Sequence, residues 1–192
     1  MAGDVETSEG ALARWLADLE RQVGGSLLLE PGMEYGAVSC WWGARRLRPQ
    51  PHEGIDIAAF AGVSGVFETL MLRPVESGEV VAILADFLGQ TAVVKRPGGA
   101  QRQFWAYAHL ELDPSWRVGD VLDPSEHVLG RVAASRTSCP GHLHISLLEL
   151  AAGTEIAWAD VSWKSIHGIA GLSFLPLLAD VGAQAATADT TA

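Results

Sequence analysis

Gly141-His142-Leu143-His144 places two histidines one residue apart, a spacing that packing alone rarely requires. In a β-strand, residues i and i+2 point to the same face, with Cα atoms about 6.6 Å apart. The flanks favour a strand: Ile145-Ser146-Leu147-Leu148 continues the run, and Cys139-Pro140-Gly141 ends any structure before it. Two imidazoles would then converge on one pocket, which suits a metal ligand beside a proton-transfer group. The plainer alternative is a half-buried strand carrying two hydrogen-bonded histidines.

A second group of chemical residues is Pro51-His52-Glu53-Gly54-Ile55-Asp56-Ile57. Histidine and aspartate are both zinc ligands, with the ring nitrogen about 2.0–2.1 Å from the metal. On one straight strand His52 and Asp56 would start about 13 Å apart, so sharing an ion needs a bend, which Gly54 can supply. His-Glu-x-x-Asp superficially mimics the helical His-Glu-x-x-His zinc motif, with Glu53 as general base. Gly54 and Ile55 in mid-helix, and Gly62 soon after, make a poor helix. The third group is Trp105-Ala106-Tyr107-Ala108-His109-Leu110, where strand alternation places Trp105, Tyr107 and His109 on one face.

Elements must position these side chains. From Glu9 to Val23, apolar residues fall at Leu12, Trp15, Leu16, Leu19 and Val23, which is helical spacing. Ser8 is the expected cap and Gly24-Gly25 the stop. The block up to about residue 50 is mixed, with Trp41-Trp42 and a Pro-Gln-Pro loop. From there to about residue 150, β-branched runs alternate with Gly and Pro: residues 78–83, 91–95 and 104–108, with Pro97-Gly98-Gly99 as a hairpin-like break. This pattern predicts an all-β fold with an antiparallel core, preceded by an N-terminal helix and followed by a short irregular C-terminal extension. The expected division is a helix and lead-in over 1–47, a β core over 48–150 and an extension over 151–192, its last dozen residues a frayed tail.

The 192 residues are 48% hydrophobic and 19% charged, so the chain folds around a substantial core rather than remaining disordered. A net charge of −10 argues against general nucleic-acid binding, which needs clustered Lys and Arg. The basic patch Arg45-Arg46-Leu47-Arg48 reads as a solvated loop. No run approaches the roughly 18 apolar residues of a membrane helix. The first residues lack the basic start and apolar run of a secretory signal, so the chain as written reads as soluble and cytoplasmic. Cys40 and Cys139 are expected as reduced thiols, since two cysteines make no disulfide framework.

Taken together, His52-x-x-x-Asp56, Tyr107-Ala108-His109-Leu110 and Gly141-His142-Leu143-His144, in that order, closely resemble the lysostaphin-like (LytM-type) zinc metallopeptidase family. The resemblance runs from about residue 48 to 150 and includes Pro74-Val75-Glu76-Ser77-Gly78-Glu79-Val80 and Trp116-Arg117-Val118-Gly119-Asp120-Val121-Leu122. It implies one Zn²⁺ held by His52, Asp56 and His144, with His142 and His109 as catalytic histidines and Tyr107 as a further donor to an oxyanion. Two imidazoles and one carboxylate leave an open position on a tetrahedral ion, as hydrolysis requires. Either histidine can then orient or deprotonate the water while the other serves the oxyanion or the leaving amine. The implied activity is a zinc endopeptidase acting on peptidoglycan cross-links or a related peptide, outside the cytoplasm if exported.

His127 and His167 match no family motif and read as ordinary structural or surface residues, whereas Trp105 and Trp41-Trp42 could line a groove wall. The chain departs from the family pattern in about ten inserted residues (62–72), in the missing signal peptide, and in Cys139 beside the metal motif with no attached cell-wall-binding module. The inserted residues or segment 26–50 could occlude the site. Two other readings stand beside the enzyme. One is a metallopeptidase-like domain used for binding or regulation; the other is a structural zinc site built from Cys40, Cys139, His142 and His144. Oligomeric state is not legible in the sequence.

Overall fold

A computed structural model describes residues 7–65, 67, 69–98, 102–135 and 138–178. Residues 1–6, Gly99 and the Ala-, Thr- and Asp-rich tail lie outside the described residues. The single α-helix among the described residues, α1 (Ser8–Val23), is capped one residue earlier than the sequence pattern predicts. Thr7, not Ser8, accepts the Gly10 N–H at 3.2 Å. Gly24 closes the helix in the left-handed region (φ 74°), donating its N–H to the Glu20 carbonyl. The helix buries Ala11, Leu12, Trp15, Leu16 and Leu19, and the Trp15 indole donates to the Arg73 carbonyl at 2.9 Å.

The strands are β1 (Leu27–Leu28), β2 (Ile55–Ile57), β3 (Ala59–Phe60), β4 (Gly78–Ala85), β5 (Gln90–Lys95), β6 (Gln103–Leu112), β7 (Val121–Leu122), β8 (Gly130–Val132), β9 (Leu143–Leu150) and β10 (Leu172–Leu175). All the pairings are antiparallel. The main sheet runs β10-β9-β6-β5-β4-β7, with β2 also paired to β9 and β8 to β6, while β1 and β3 form a separate pair. The β-rich antiparallel architecture with one N-terminal helix is the one the sequence predicts. The C-terminal extension is less irregular than expected, because β10 adds a strand to the sheet edge.

Both sheet faces are covered, so the central strands are buried almost throughout. On one face, α1 packs with Ile55, Ile57, Trp105, Tyr107, Leu110, Ile145 and Leu147. On the other, Ile166 joins Phe104, Ala106, Leu148 and Leu150, with Trp158 and Phe174 of the extension packed against them. Alternation thus assigns each residue of β6 and β9 to a face: Trp105, Tyr107, Ile145 and Leu147 to the helix side, Ala106, Ser146 and Leu148 to the other. The candidate functional residues gather on the second face, at the end of β9 where β2 joins it.

Candidate metal centre

His144 on β9 sits opposite Asp56 on β2 on one side and Ala108 on β6 on the other. That register brings residues 88 positions apart within hydrogen-bond distance. His144 Nδ1 lies 2.9 Å from Asp56 Oδ1, His52 Nε2 lies 3.1 Å from the same oxygen, and the two ring nitrogens are 3.0 Å apart. His52 reaches this point because the chain bends before β2 rather than continuing as a strand or helix. Gly54 makes the bend possible through space. A Cβ there would sit 2.2 Å from the Ile145 carbonyl oxygen and 2.9 Å from His144 Cε1.

The three atoms form a triangle with edges of 2.9–3.1 Å. Ligands at 2.0–2.2 Å from a tetrahedral ion stand about 3.3 Å apart, so a small expansion around a cation accommodates the set. Outer hydrogen bonds orient each ligand. His52 Nδ1–H donates to the Glu34 carbonyl at 2.9 Å, and His144 Nε2 lies 2.7 Å from Ser146 Oγ. With protons on these outer nitrogens, the opposite nitrogens would offer lone pairs to a cation in place of their hydrogen bonds to Asp56. Asp56 Oδ2 accepts from Trp41 Nε1 at 2.8 Å and from Arg48 at 3.2 Å. Among the described residues, His52, Asp56 and His144 are the set that could hold a metal ion; Cys40 and Cys139 join no such group. Neither cysteine takes part in a disulfide.

His142 and His109 flank the triangle, with their rings 4.7 Å apart and edge-to-face. His142 Nδ1–H donates to the Pro140 carbonyl at 2.8 Å, which directs Nε2 toward Asp56 Oδ1 at 3.5 Å. Cys139 Sγ lies 3.9 Å from the same Nδ1. Burial alone would raise the Asp56 carboxyl, yet hydrogen bonds from His142, His144 and His52 outweigh it and hold it well below the usual carboxylate range. Burial likewise pulls His144 down, against the pull of Asp56. At His142 burial is outweighed by Asp56, helped by Cys139 and Pro140, and the imidazole is pushed up to about 10. His142 and His144 are thus shifted in opposite directions, His142 up and His144 down.

His109 reaches the site by a route alternation does not predict. Between Tyr107 and Leu110, β6 carries a bulge against β5, with the register shifting between Gln90 and Ala92. His109 sits in the left-handed region (φ 65°), uncommon for a residue with a Cβ. The bulge corrects the expectation that Trp105, Tyr107 and His109 share a face. Trp105 and Tyr107 lie in the core on the helix side. The Tyr107 hydroxyl accepts the Val75 N–H at 2.9 Å, and burial pushes its ionisation up. Tyr107 therefore cannot serve an oxyanion at this site, and Trp105, bonded to Glu76 at 2.6 Å, lines no groove.

Asp86, in the β4–β5 turn, is the functional neighbour that sequence reasoning missed. Its carboxylate accepts from the His109 backbone N–H at 3.0 Å, His109 Nδ1 at 3.1 Å, Leu88 N–H, Gly89 N–H and the Thr91 hydroxyl. Burial alone would raise this carboxyl, but His109 and the backbone donors hold it well below the usual range. As part of Asp86-Phe87-Leu88-Gly89 it reads only as a turn residue. Arg48 departs from the solvated-loop expectation, because it stacks on Trp42 at 5.2 Å and bonds Asp56.

Aromatic rings surround the centre. Trp41 and Trp42 lie 5.5 and 5.9 Å from His142, Phe87 lies 4.5 Å from His109, and Trp163 lies 5.7 Å from His109 and 5.9 Å from His144. His167, which matched no motif, stands at the rim, 3.4 Å from Glu53 and stacked on Phe174. Beside it a cavity of about 330 Å³ is bounded by Tyr35, Gln50, His52 and Glu53. The described part of the 62–72 insertion walls a different cleft, of about 720 Å³, that Gly141 also lines. His127 stays remote, its Nδ1 accepting the Asp123 N–H at 2.9 Å.

No protein-family model matches the chain. Among solved structures, the chain is similar to the catalytic domain of the antimicrobial peptidase lysostaphin from Staphylococcus simulans (TM-score 0.45, 18% identity, covering 70% of this chain and 84% of that one). It is also similar to LytU (TM-score 0.43, 18% identity, 65% and 75%) and to the catalytic domain of the prophage-encoded protein EnpA from Enterococcus faecalis (TM-score 0.40, 19% identity, 70% and 96%). Against the solution structure of whole lysostaphin the match covers 67% of this chain and 45% of that chain. No helix among the described residues is long and apolar enough to cross a membrane.

Proposed function

We propose that this chain is a zinc-dependent endopeptidase that hydrolyses peptide bonds, with peptidoglycan cross-links or a related peptide as substrate. The observation that carries this reading is the buried triangle of His52 Nε2, Asp56 Oδ1 and His144 Nδ1, with edges of 2.9–3.1 Å. The order and content of the three sequence motifs support it. A zinc ion there would lower the pKa of water toward about 7 and polarise the scissile carbonyl.

The chain's own residues supply the proton chemistry. His142, locked at Nδ1 by Pro140, presents Nε2 beside Asp56 and takes the proton of the attacking water. Once Asp56 shares its charge with a cation, its pull on His142 weakens and Nε2 is available as a base. His109, locked at Nδ1 by Asp86, presents its other nitrogen to the oxyanion or the leaving amine, and the buried Asp86 carboxylate stabilises the imidazolium. Tyr107 has no part.

One observation favours a second reading, a metallopeptidase-like domain used for binding or regulation. His52, Asp56, His109, His142 and His144 are only 1–3% exposed, so the site is closed to a bulky chain in this conformation. His109→Ala separates the two readings. For the enzyme it leaves zinc bound by metal analysis and lowers turnover of a cell-wall digest, followed by mass spectrometry, by about 10²–10⁴-fold. A wild-type protein that holds zinc but releases no product from several peptidoglycan types selects the binding module instead.

A further inference from the structure

We infer that residues 30–48 form the outer shell of the metal site, with Trp41 and Arg48 as positioning residues for Asp56, rather than a cover that inhibits it. The inference rests on the assignment of His52, Asp56 and His144 as metal ligands. A cover approaches a site from the substrate side and is displaced when substrate binds. The lead-in instead grips both first-motif ligands from behind. The Glu34 carbonyl binds His52 at Nδ1, opposite the inward-facing Nε2. Trp41 and Arg48 bind Asp56 at Oδ2, while Oδ1 is the oxygen in the triangle. The atoms the lead-in occupies are therefore not the atoms a metal would use.

The backbone is joined in the same way. Asp56 N–H donates to the Met33 carbonyl at 2.9 Å, His52 N–H to Ala37 at 2.9 Å, and Gly36 N–H to the His52 carbonyl at 2.7 Å. Arg48 also donates to the Gly32 carbonyl at 3.0 Å, which closes the lead-in on itself. Lifting this segment would strip hydrogen bonds from both ligands and leave a buried carboxylate oxygen without donors, a costly arrangement. With two donors on Oδ2, Asp56 is held as a one-oxygen ligand in fixed orientation. The Trp41 N–H carries no charge and does not titrate, so this restraint persists at any working pH. The lead-in is thus a wall of the site.

Zinc affinity tests this, measured by competition with a chromophoric chelator on the full chain. Trp41→Phe keeps the ring and removes only the donor, and outer-shell losses of this kind typically cost 10–100-fold in affinity. The expected result is a loss in that range, with hydrolysis recovering as zinc is raised to saturation. Trp116→Phe, whose indole bonds the Val128 carbonyl beside the remote His127, should leave affinity within about threefold. Melting in the presence of chelator reports whether Trp41→Phe is folded. If it is not, Arg48→Lys probes the same oxygen from a side chain outside the core and should also weaken zinc. Unchanged zinc affinity in a folded Trp41→Phe overturns the inference, and so does faster hydrolysis with affinity unchanged, the mark of a cover. Wild-type protein that binds no zinc at this site fails the underlying metal assignment instead.

Discussion

At the scale of single residues, the His109–Asp86 pair shows how one strained backbone position serves the site. A left-handed residue with a Cβ costs about 1–3 kcal/mol and persists only where its surroundings fix it. Asp86 does so by binding both the backbone N–H and the ring of His109. Its carboxyl is held below its usual range, so its contribution to stability is complete above the unfolded value of about 3.9 and is lost as pH falls below that. Wild-type melting temperature should therefore drop steeply below about pH 4, and Asp86→Asn should flatten that part of the curve. The same variant should cost about 1–3 kcal/mol near neutrality, where several donors lose an anionic acceptor, and should lower hydrolysis while zinc stays bound. An unaltered acid limb would remove Asp86 from this role. None of this was legible in the sequence, because Asp86 and His109 are 23 positions apart and Asp86 sits in an ordinary turn motif.

At the scale of elements, strand alternation explains what the sequence reveals and where it misleads. The runs within β4, β5 and β6 are β-branched and bounded by Gly or Pro, so their existence and antiparallel pairing were readable. The three motifs, far apart in the chain, meet in space: the structure gathers His52, Asp56, His109, His142 and His144 on one face. The faces of β6 were not readable, because a bulge shifts the parity after Tyr107 and nothing in Ala106-Tyr107-Ala108-His109 announces it. Short pieces such as β1, β3 and β10 also escaped, being held by tertiary pairing rather than local preference. Gly54 makes the element argument testable. Its position rests on the close passage of β2 over β9, where an added Cβ would meet the Ile145 carbonyl oxygen at 2.2 Å. Gly54→Ala must push β2 away from β9 and separate Asp56 from His144. The expected outcome is a loss of zinc affinity together with a destabilisation above about 2 kcal/mol in denaturant unfolding. A variant with wild-type stability and zinc content would show that the strands do not approach so closely.

Across the whole molecule, the site is where separate parts of the chain meet: the lead-in, β2, the β4–β5 turn, β6, β9 and the C-terminal extension with Trp163. β2 is tied to β9 over only three residue pairs, Ile55↔Ile145, Asp56↔His144 and Ile57↔Leu143. A cation shared by His52, Asp56 and His144 would cross-link that short junction and, through Glu34, Trp41 and Arg48, the lead-in as well. Folding and metal binding are then linked, since the unfolded chain offers no comparable site. With free zinc at about 100 times its dissociation constant, linkage supplies about 2.7 kcal/mol, which for a chain of this size corresponds to roughly 5–10 °C in melting temperature. Adding a chelator should lower the melting temperature by that amount, and restoring zinc should reverse it. His144→Ala should melt at the chelated wild-type temperature or below and show no response to zinc. A His144→Ala protein that still gains stability from zinc would mean that the ion binds elsewhere and that the junction of β2 with β9 stands without it.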